Sequence, residues 1–261
     1  TIQPGRAERS LPNTPRKLRM KVFRDLQEWR QQRRQIKETL GFVPTMGALH
    51  DGHISLTRQS QQENQCTLVS IFINPTQFND PKDFQNYPQT LDQDLEKLQH
   101  IDYVLAPNAQ QMYPHGYHYK VSEDEVSKIL EGAHRPGHFD GMLTVVLKLL
   151  NLARAHKAYF GEKDFQQLQL VLGMVNDFFV DTEIVACPTQ RDPDGLAMSS
   201  RNVRLSPEGR ETAAKFPQLL QHPDAKALLQ QAGFEVDYIE KWKGRTLGAV
   251  RLENVRLIDN L

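Results

Sequence analysis

Short apolar runs alternate with helical patterns from Met20 to about residue 188, and this alternation constrains the fold more than any other feature. The runs are rich in Val, Ile, Phe and Tyr, as buried strands are, and predict strands at 41–45, 66–73, 103–106, 158–160 and 183–187. The segments between them predict helices at 25–36, 54–64, 90–99, 142–153 and 165–178. We therefore expect an α/β fold with a Rossmann-like parallel sheet and helices on both faces, spanning residues 20–188.

The alternation ends at a turn cluster that begins at Arg191 and reads Arg-Asp-Pro-Asp-Gly. A helix-like stretch at 206–220 and a mixed tail follow it. This pattern predicts that residues 189–261 form a small C-terminal α/β domain, which could close over the larger one as a lid. The tail reads as shortened, with a strand hairpin compressed into residues 243–248.

Residues 1–19 differ from the rest of the chain. They hold Arg6, Arg9, Arg16, Lys17 and Arg19 against one acid, together with three prolines and few apolar side chains. Such a segment buries too little surface to fold alone, so we expect a disordered basic prefix. A cloning remnant and the end of a basic targeting peptide are open alternatives.

Composition argues against several classes of protein. Of 261 residues, 39 % are apolar and 25 % charged, ordinary values for a globular enzyme or binding protein. The 32 basic and 32 acidic residues cancel, so no net field favours nucleic acid or a membrane as a partner. No apolar run approaches the roughly 20 residues that cross a bilayer. Cys66 and Cys187 lie in apolar stretches, which predicts reduced thiols and a cytoplasmic location, and no His or Cys cluster predicts a metal site.

The segment from Pro44 to His53, Pro-Thr-Met-Gly-Ala-Leu-His-Asp-Gly-His, carries the clearest chemistry. Its two glycines allow the backbone to approach a ligand closely. His50 and His53 lie three residues apart at a helix start, so their rings project from one face. Imidazoles beside unpaired helix N–H groups suit a polyphosphate. The alternative is a glycine-rich turn with two incidental histidines, but the strand before it and the helix after it favour the anion site.

Three further segments place polar donors at strand ends or at the domain junction. Asn74 and Gln77 follow the second predicted strand, and their amides can bond a polar substrate. Lys163 and Asp164 follow the fourth predicted strand, where the lysine suits a phosphate and the aspartate suits a ribose hydroxyl. The alternative is that Asp164 only caps the next helix. The hydroxyls and guanidinium of Ser199-Ser200-Arg201 suit phosphate oxygens. Ligands of parallel sheets bind beyond the carboxyl ends of the strands, so the four segments together predict a nucleoside triphosphate beside a small polar co-substrate.

As a set, these motifs resemble the pantoate–beta-alanine ligase family, a member of the nucleotidyl-transferring proteins with a HIGH-type histidine signature. The resemblance runs over about residues 20–211, returns at 256–260, and is carried by residues 44–53, 71–78, 135–139, 161–167 and 198–202. It implies that ATP and (R)-pantoate form pantoyl adenylate and pyrophosphate, after which β-alanine releases AMP and gives pantothenate for coenzyme A biosynthesis. It also implies an assisting Mg²⁺ ion and a homodimer.

The resemblance also implies a role for each matching residue. The expected catalytic groups are His50, His53, Lys163 and Arg201, with His53 at the family's proton-donor position. The expected ATP contacts are Met46, Gly47, Ala48, Leu49, His50, Asp51, Gly52, His53, Gly161, Glu162, Lys163, Asp164, Gln190, Met198, Ser199, Ser200 and Arg201. Gln77, Gln167 and Asn74 are expected to contact pantoate, and Gln77 also β-alanine.

Three other functions are compatible with parts of the sequence. A HIGH-type nucleotidyltransferase for a phosphorylated alcohol would share the histidines, but residues 74–77 favour pantoate. A non-catalytic nucleotide-binding module is disfavoured because all the phosphate donors are present. Binding to nucleic acid depends on the basic prefix alone.

Overall fold

The computed structural model describes residues 20–261, and the predicted basic prefix lies outside them. Its main feature is a six-stranded sheet of order β1-β4-β3-β2-β5-β6 in which every neighbouring pair is parallel. The strands are β1 (Lys21–Phe23), β2 (Leu40–Thr45), β3 (Cys66–Ile71), β4 (Tyr103–Leu105), β5 (Lys157–Gly161) and β6 (Glu183–Cys187). The predicted parallel sheet is confirmed, and β1, an edge strand of three residues, is an addition to it.

The helices are α1 (Leu26–Gln35), α2 (Asp51–Glu63), α3 (Pro81–Gln85), α4 (Leu91–Lys97), α5 (Ala109–Met112), α6 (Glu131–His134), α7 (His138–Ala153), α8 (Phe165–Asp177), α9 (Pro207–Ala213), α10 (Phe216–Leu220) and α11 (Ala225–Gln231). Among the described residues, no helix is long and apolar enough to cross a membrane. The predicted helix at 206–220 is two helices, because Pro217 has no N–H for the bond that would continue α9.

Helices cover both faces of the parallel sheet because its side chains alternate between them. On one face, Leu40 and Phe42 of β2 share a core with Trp29 of α1 and with α7 and α8. On the other, Val43 shares a core with Leu56 of α2 and with α4. The predicted two-sided arrangement is therefore confirmed.

The C-terminal part of the chain forms an antiparallel sheet of β7 (Glu235–Trp242), β8 (Arg245–Leu252) and β9 (Val255–Asn260). The hairpin expected to be compressed into residues 243–248 is complete, since only Lys243 and Gly244 separate two eight-residue strands. Both residues have positive φ, the geometry of a tight hairpin turn. The sequence pattern was misleading because that turn resembles a shortened loop.

The C-terminal sheet packs on the parallel-sheet unit through a mixed cluster. Leu130 and Phe165 contact Tyr238, Leu247 and Ala249 in it. A second core, around Phe216 and Val250, lies between α10 and the antiparallel sheet. The boundary at residues 188 and 189, and the closing motion of a lid, stay predictions.

Candidate active site

A cavity of about 230 Å³ opens beyond the carboxyl ends of β2, β3 and β5. It brings together fourteen of the residues predicted from the sequence: Met46, His50, Gly52, His53, Gln77, Gly161, Lys163, Asp164, Gln167, Gln190, Met198, Ser199, Ser200 and Arg201. Apolar side chains of α7 complete its floor, among them Met142 and Val146. The four polar segments therefore meet at one place, as the parallel sheet requires.

The turn between β2 and α2 is held from behind by a buried carboxylate. Asp94 of α4, 1 % exposed, accepts hydrogen bonds from the backbone N–H groups of Ala48 at 2.9 Å and Leu49 at 2.7 Å. Gly47 and Ala48 both have positive φ, a geometry that a residue other than glycine adopts at a cost. The charge-assisted bonds of Asp94 therefore fix the turn that delivers His50 to the start of α2.

His50 and His53 form a pair of rings with centroids 4.1 Å apart. The backbone N–H of His50 donates to Nδ1 of His53 at 3.3 Å, so the proton of a neutral His53 lies on Nε2. Within the described residues, Nδ1 of His50 is a buried atom without a hydrogen-bond partner. Gly52 leaves room for this ring, because a Cβ there would lie 2.9 Å from it.

Both imidazoles are neutral at physiological pH. Burial lowers the pKa of His53 to about 3, helped by His50 and by the charge of Lys163. Burial and the same lysine lower the pKa of His50 to about 4. A neutral imidazole donates one hydrogen bond, so each ring can offer a single N–H to an oxygen of a nucleotide.

The amides that follow β3 form a second wall. Gln77 lines the cavity, and its Oε1 accepts from Nδ2 of Asn74 at 3.0 Å while its Nε2 lies 3.0 Å from Sδ of Met46. Asn74 is 1 % exposed, and its Oδ1 accepts from the Tyr113 hydroxyl at 2.7 Å. The polar atoms of Asn74 are thus occupied within the protein, which places this residue behind Gln77 rather than on the cavity wall.

The first turn of α7 clamps this amide wall. His138 donates from Nδ1 to the carbonyl oxygen of Gln77 at 2.8 Å, and its Nε2 accepts from Nη1 of Arg135 at 3.1 Å. Burial lowers the pKa of His138 to about 3, so the ring is neutral and this tautomer is fixed. A Cβ on Gly141 would lie 2.2 Å from the carbonyl oxygen of Thr76 and 2.7 Å from the amide nitrogen of Gln77, so only glycine fits there.

The segment that follows β5 supplies a cation and a carboxylate. Lys163 lies with its Nζ 3.9 Å from Oδ2 of Asp164, and both line the cavity. Nδ2 of Asn260, at the end of β9, donates to the carbonyl oxygens of Glu162 and Lys163, each at 2.9 Å. The last strand of the C-terminal sheet therefore fixes the backbone from which Lys163 projects.

The loop that carries Ser199, Ser200 and Arg201 is tied to the larger unit by a shared carboxylate. Asp83 of α3 accepts from Nη2 of Arg201 at 2.8 Å and from Nη1 of Arg204 at 2.9 Å. Burial opposes ionisation of Asp83, but the two guanidinium groups outweigh it and hold the pKa of the carboxyl below its usual range. The hydroxyl of Tyr87 lies 3.2 Å from that of Ser200 and adds a further link.

Six predicted residues lie off the wall of this cavity: Gly47, Ala48, Leu49, Asp51, Glu162 and Asn74. Leu49 is in the core and Glu162 pairs with Arg245 at 3.0 Å. Sequence reasoning gave no role to Asp94, Tyr87 or His138. The signal for Asp94 was an acid between Leu91, Leu95 and Leu98 on the apolar side of a helix, while His138 was part of a quoted motif without a role.

A second cavity, of about 910 Å³, adjoins the first and shares Lys163, Asp164, Ser199 and Arg201 with it. It lies between α3, the Ser199–Arg201 loop and the antiparallel sheet, and is lined by charged side chains of both signs. Its volume is sufficient for a polyphosphate or a second small substrate.

A family profile described as pantoate-beta-alanine ligase matches residues 19–261. A pantothenate synthetase of Bdellovibrio bacteriovorus is 52 % identical over 246 residues, which cover 92 % of this chain and 98 % of that protein. One of Legionella pneumophila is 47 % identical over 249 residues, covering 92 % and 99 %. Among solved structures, a pantoate-beta-alanine ligase of Francisella tularensis, complexed with beta-gamma ATP and beta-alanine, superposes with a TM-score of 0.89 at 42 % identity, covering 93 % of this chain and 97 % of its own. The corresponding protein of Thermus thermophilus gives a TM-score of 0.86 at 38 % identity, covering 93 % and 99 %.

Proposed function

The chain belongs to the pantoate–beta-alanine ligase family, and from this premise we propose that it condenses (R)-pantoate with β-alanine at the expense of ATP. One observation carries the proposal: two neutral histidines, Lys163 and the amides of Gln77 and Gln167 face a single cavity at the strand ends. The histidines and Lys163 suit a triphosphate, and the two amides suit a small hydroxy acid.

In the first step, the carboxylate of pantoate attacks the α-phosphorus of ATP, the bond to pyrophosphate breaks, and pantoyl adenylate forms. No nucleophile of the enzyme is needed, and both cysteines lie buried. His53 donates from Nε2 to a phosphate oxygen whose charge grows in the transition state, while Lys163 and Arg201 neutralise the departing pyrophosphate. Gln77 and Gln167 hold pantoate in line for the attack.

In the second step, the free amine of β-alanine attacks the acyl carbon of the adenylate. The new C–N bond forms as the C–O bond to the phosphate breaks, AMP leaves with the electron pair, and the nitrogen loses a proton. Closure of residues 189–261 over the cavity, proposed below, would keep water from the mixed anhydride, which would otherwise hydrolyse.

Mg²⁺ fits this site as an ion carried by the nucleotide. Among the described residues, no group of three or more His, Cys, Asp or Glu could hold a metal by itself. Asp164 is the carboxylate on the cavity wall, and Mg²⁺ usually takes one or two carboxylates together with phosphate oxygens and water. When bound, the ion would offset phosphate charge during adenylation.

We also propose that residues 189–261 act as a lid, that the active form is a homodimer, and that the protein works in the cytosol. A hinge near residue 188 would move the Ser199–Arg201 loop over the phosphates. Within the described residues both cysteines are buried and neither is in a disulfide, which supports a reducing compartment. Sedimentation analysis tests the dimer, which fails if the mass is that of a single chain.

Isotope exchange between ATP and pyrophosphate tests the proposed reaction, because exchange requires reversible adenylate formation. We expect exchange only when pantoate is added, and pantothenate with AMP when β-alanine follows. Exchange without pantoate, or turnover with CTP and a phosphorylated alcohol, would instead support the related nucleotidyltransferase function.

A further inference from the structure

The C-terminal motif at residues 256–260 has no part in the reaction described above, although its last two residues are polar and buried. Asp259 and Asn260 end β9, and they are 3 % and 4 % exposed. A carboxylate and an amide withdrawn from water are costly unless they are bonded, so their partners show what the motif supports. The question rests on the proposed function, since those partners lie in two segments assigned to the phosphates of ATP.

Asn260 bonds the turn that carries Lys163. Its Nδ2 donates to the carbonyl oxygens of Glu162 and Lys163, each at 2.9 Å, and its Oδ1 accepts from Nη1 of Arg245 at 2.7 Å. Carbonyls only accept and a guanidinium only donates, so the amide has a single orientation. Arg245 also pairs with Glu162 at 3.0 Å, and its guanidinium carbon lies 4.4 Å from the ring centroid of Phe165. The C-terminal sheet therefore holds the turn on both sides of Lys163.

Asp259 bonds the other phosphate segment at its base. Its Oδ2 and Oδ1 accept from Nη1 and Nη2 of Arg191 at 2.7 and 2.8 Å, a bidentate ion pair whose carboxylate is fully buried. Arg191 also donates to the carbonyl oxygen of Gly195 and pairs with Ala197 in an antiparallel bridge. The Ser199–Arg201 loop starts two residues after Ala197. Asp259 therefore fixes the backbone from which this loop begins.

The two residues reach different segments because they are neighbours in a strand. Successive side chains of a strand point to opposite faces, so Asp259 meets the loop and Asn260 meets the Lys163 turn. Neither residue lines the cavity of about 230 Å³, so neither belongs to the groups placed against substrate. The Asn260 bonds also cross from the C-terminal sheet to the parallel-sheet unit, so a displacement of that sheet is transmitted to Lys163.

We propose that Asn260 is a positioning residue for Lys163 and that Asp259 is a positioning residue for the Ser199–Arg201 loop. One strand end thereby sets the distance between two groups of phosphate donors. Removing the Asn260 amide leaves the charge of Lys163 in place but releases the backbone from which it projects. An amide that only stabilised the C-terminal sheet would instead affect the site equally with and without Lys163.

A double-mutant cycle between Asn260 and Lys163 tests the first assignment. The dissociation constant of β,γ-methylene ATP, a non-hydrolysable analogue, is measured by calorimetry for the parent, Asn260→Ala, Lys163→Ala and the double variant. We expect Asn260→Ala to raise the constant about tenfold in the parent, and by less than about twofold in the Lys163→Ala background. If Asn260→Ala does not fold, Asn260→Asp repeats the cycle, because it keeps the bond to Arg245 but has no donor for the two carbonyls.

Asp259→Asn is expected to behave differently because its partner lies in the other segment. It should raise the same constant about fivefold both in the parent and in the Lys163→Ala background. If this variant does not fold, Arg191→Lys replaces it, since a lysine keeps the charge but cannot form two parallel bonds. Gln230→Ala is the matched control for the loss of an amide, because Gln230 is exposed on α11, and it should keep the parent value.

The outcomes are distinct. Coupling of Asn260 with Lys163, beside additive effects of Asp259→Asn, supports the proposal. Equal losses from Asn260→Ala in both backgrounds, or no loss in the parent, overturn it, because the amide then does not orient Lys163. Coupling of Asp259 with Lys163 overturns the division between the two residues. A parent chain that binds the analogue but shows no pantoate-dependent ATP–pyrophosphate exchange contradicts the proposed function, while the cycle on binding still decides the positioning role.

Discussion

The histidine turn and the Ser199–Arg201 loop face the same cavity but are held in different ways. The turn is fixed by Asp94, which is fully buried and accepts hydrogen bonds from the backbone N–H groups of Ala48 and Leu49. The loop is fixed by Asp83, whose partners are the guanidinium groups of Arg201 and Arg204. Arg201 is itself predicted to bind phosphate, so its carboxylate partner competes with the substrate.

The histidine turn is thus a preformed wall of the cavity, whereas the Ser199–Arg201 loop is an exchangeable wall, whose ion pair competes with the substrate. Donors that are already oriented stabilise a transition state without reorganisation, which suits the histidines. An ion pair with both side chains more than one-fifth exposed is worth little, which suits a contact that must open and close. Changes to the histidine turn should therefore cost more activity than changes to the Ser199–Arg201 loop.

The largest effect is expected at His53. His53→Ala should lower the rate of pantoate-dependent exchange by about 100-fold or more, because a donor to the growing phosphate charge is lost. His53→Asn should be equally slow, although its Oδ1 can still accept from the N–H of His50. Near-normal exchange in either variant would contradict the role given to Nε2.

The second effect concerns the support of the same turn. Asp94→Asn replaces one acceptor by a donor that faces a backbone N–H, so we expect exchange to fall about 30-fold, equivalent to about 2 kcal/mol. Asp92→Asn, on the exposed side of the same helix, is the matched control and should keep the parent rate. A fall in both variants would indicate general damage to α4 rather than loss of the support.

The third effect is a pH dependence of stability. The pKa of His53 is lowered to about 3 in the folded protein against 6.5 when unfolded, so the unfolded state binds more protons between these values. This contribution to stability is complete above pH 6.5 and is lost as the pH falls toward 3. His53→Asn should therefore lose about 1–2 kcal/mol less unfolding free energy than the parent between pH 7 and pH 5, measured in urea. His222→Asn, at an exposed histidine, should follow the parent; a parent-like loss in His53→Asn would show that the ring is not kept neutral by burial.

The smallest effect is expected at the exchangeable wall. Asp83→Asn removes the carboxylate that competes with phosphate for Arg201, so the KM for ATP should fall by about threefold with little change in kcat. Initial rates at varied ATP measure it. A loss of activity as large as that of Asp94→Asn would make both walls preformed and would end the distinction between them.

The parallel sheet could be predicted because each buried strand is an apolar run with glycine or polar residues at its end, as at residues 41–45. The site could be predicted as far as its residues belong to such strand ends. Edge strand β1 could not, since three half-exposed residues give no pattern. The C-terminal hairpin was misread because Lys243 and Gly244 make a tight turn that periodicity does not detect.

The supports of the site were beyond sequence reasoning for a different reason. Asp94 contacts Ala48 and Leu49, more than forty positions away, and His138 contacts Gln77 at a separation of 61. Contacts at such a distance along the chain leave no periodic trace. Asn74, expected to contact pantoate, bonds Tyr113 and Gln77 in the structure, and its contact with pantoate stays a prediction.

The contact of Gly141 with residues 76 and 77 limits how the site could be redesigned. No larger residue fits at Gly141, and the carbonyl of Gln77 is held by His138. The amide wall therefore cannot shift to accept a hydroxy acid of a different size. The opposite side of the cavity is built from apolar side chains, Met142, Val145, Val146 and Leu149. Engineering for bulkier or slimmer hydroxy acids has to proceed by volume changes on that apolar side, where cores tolerate substitution best.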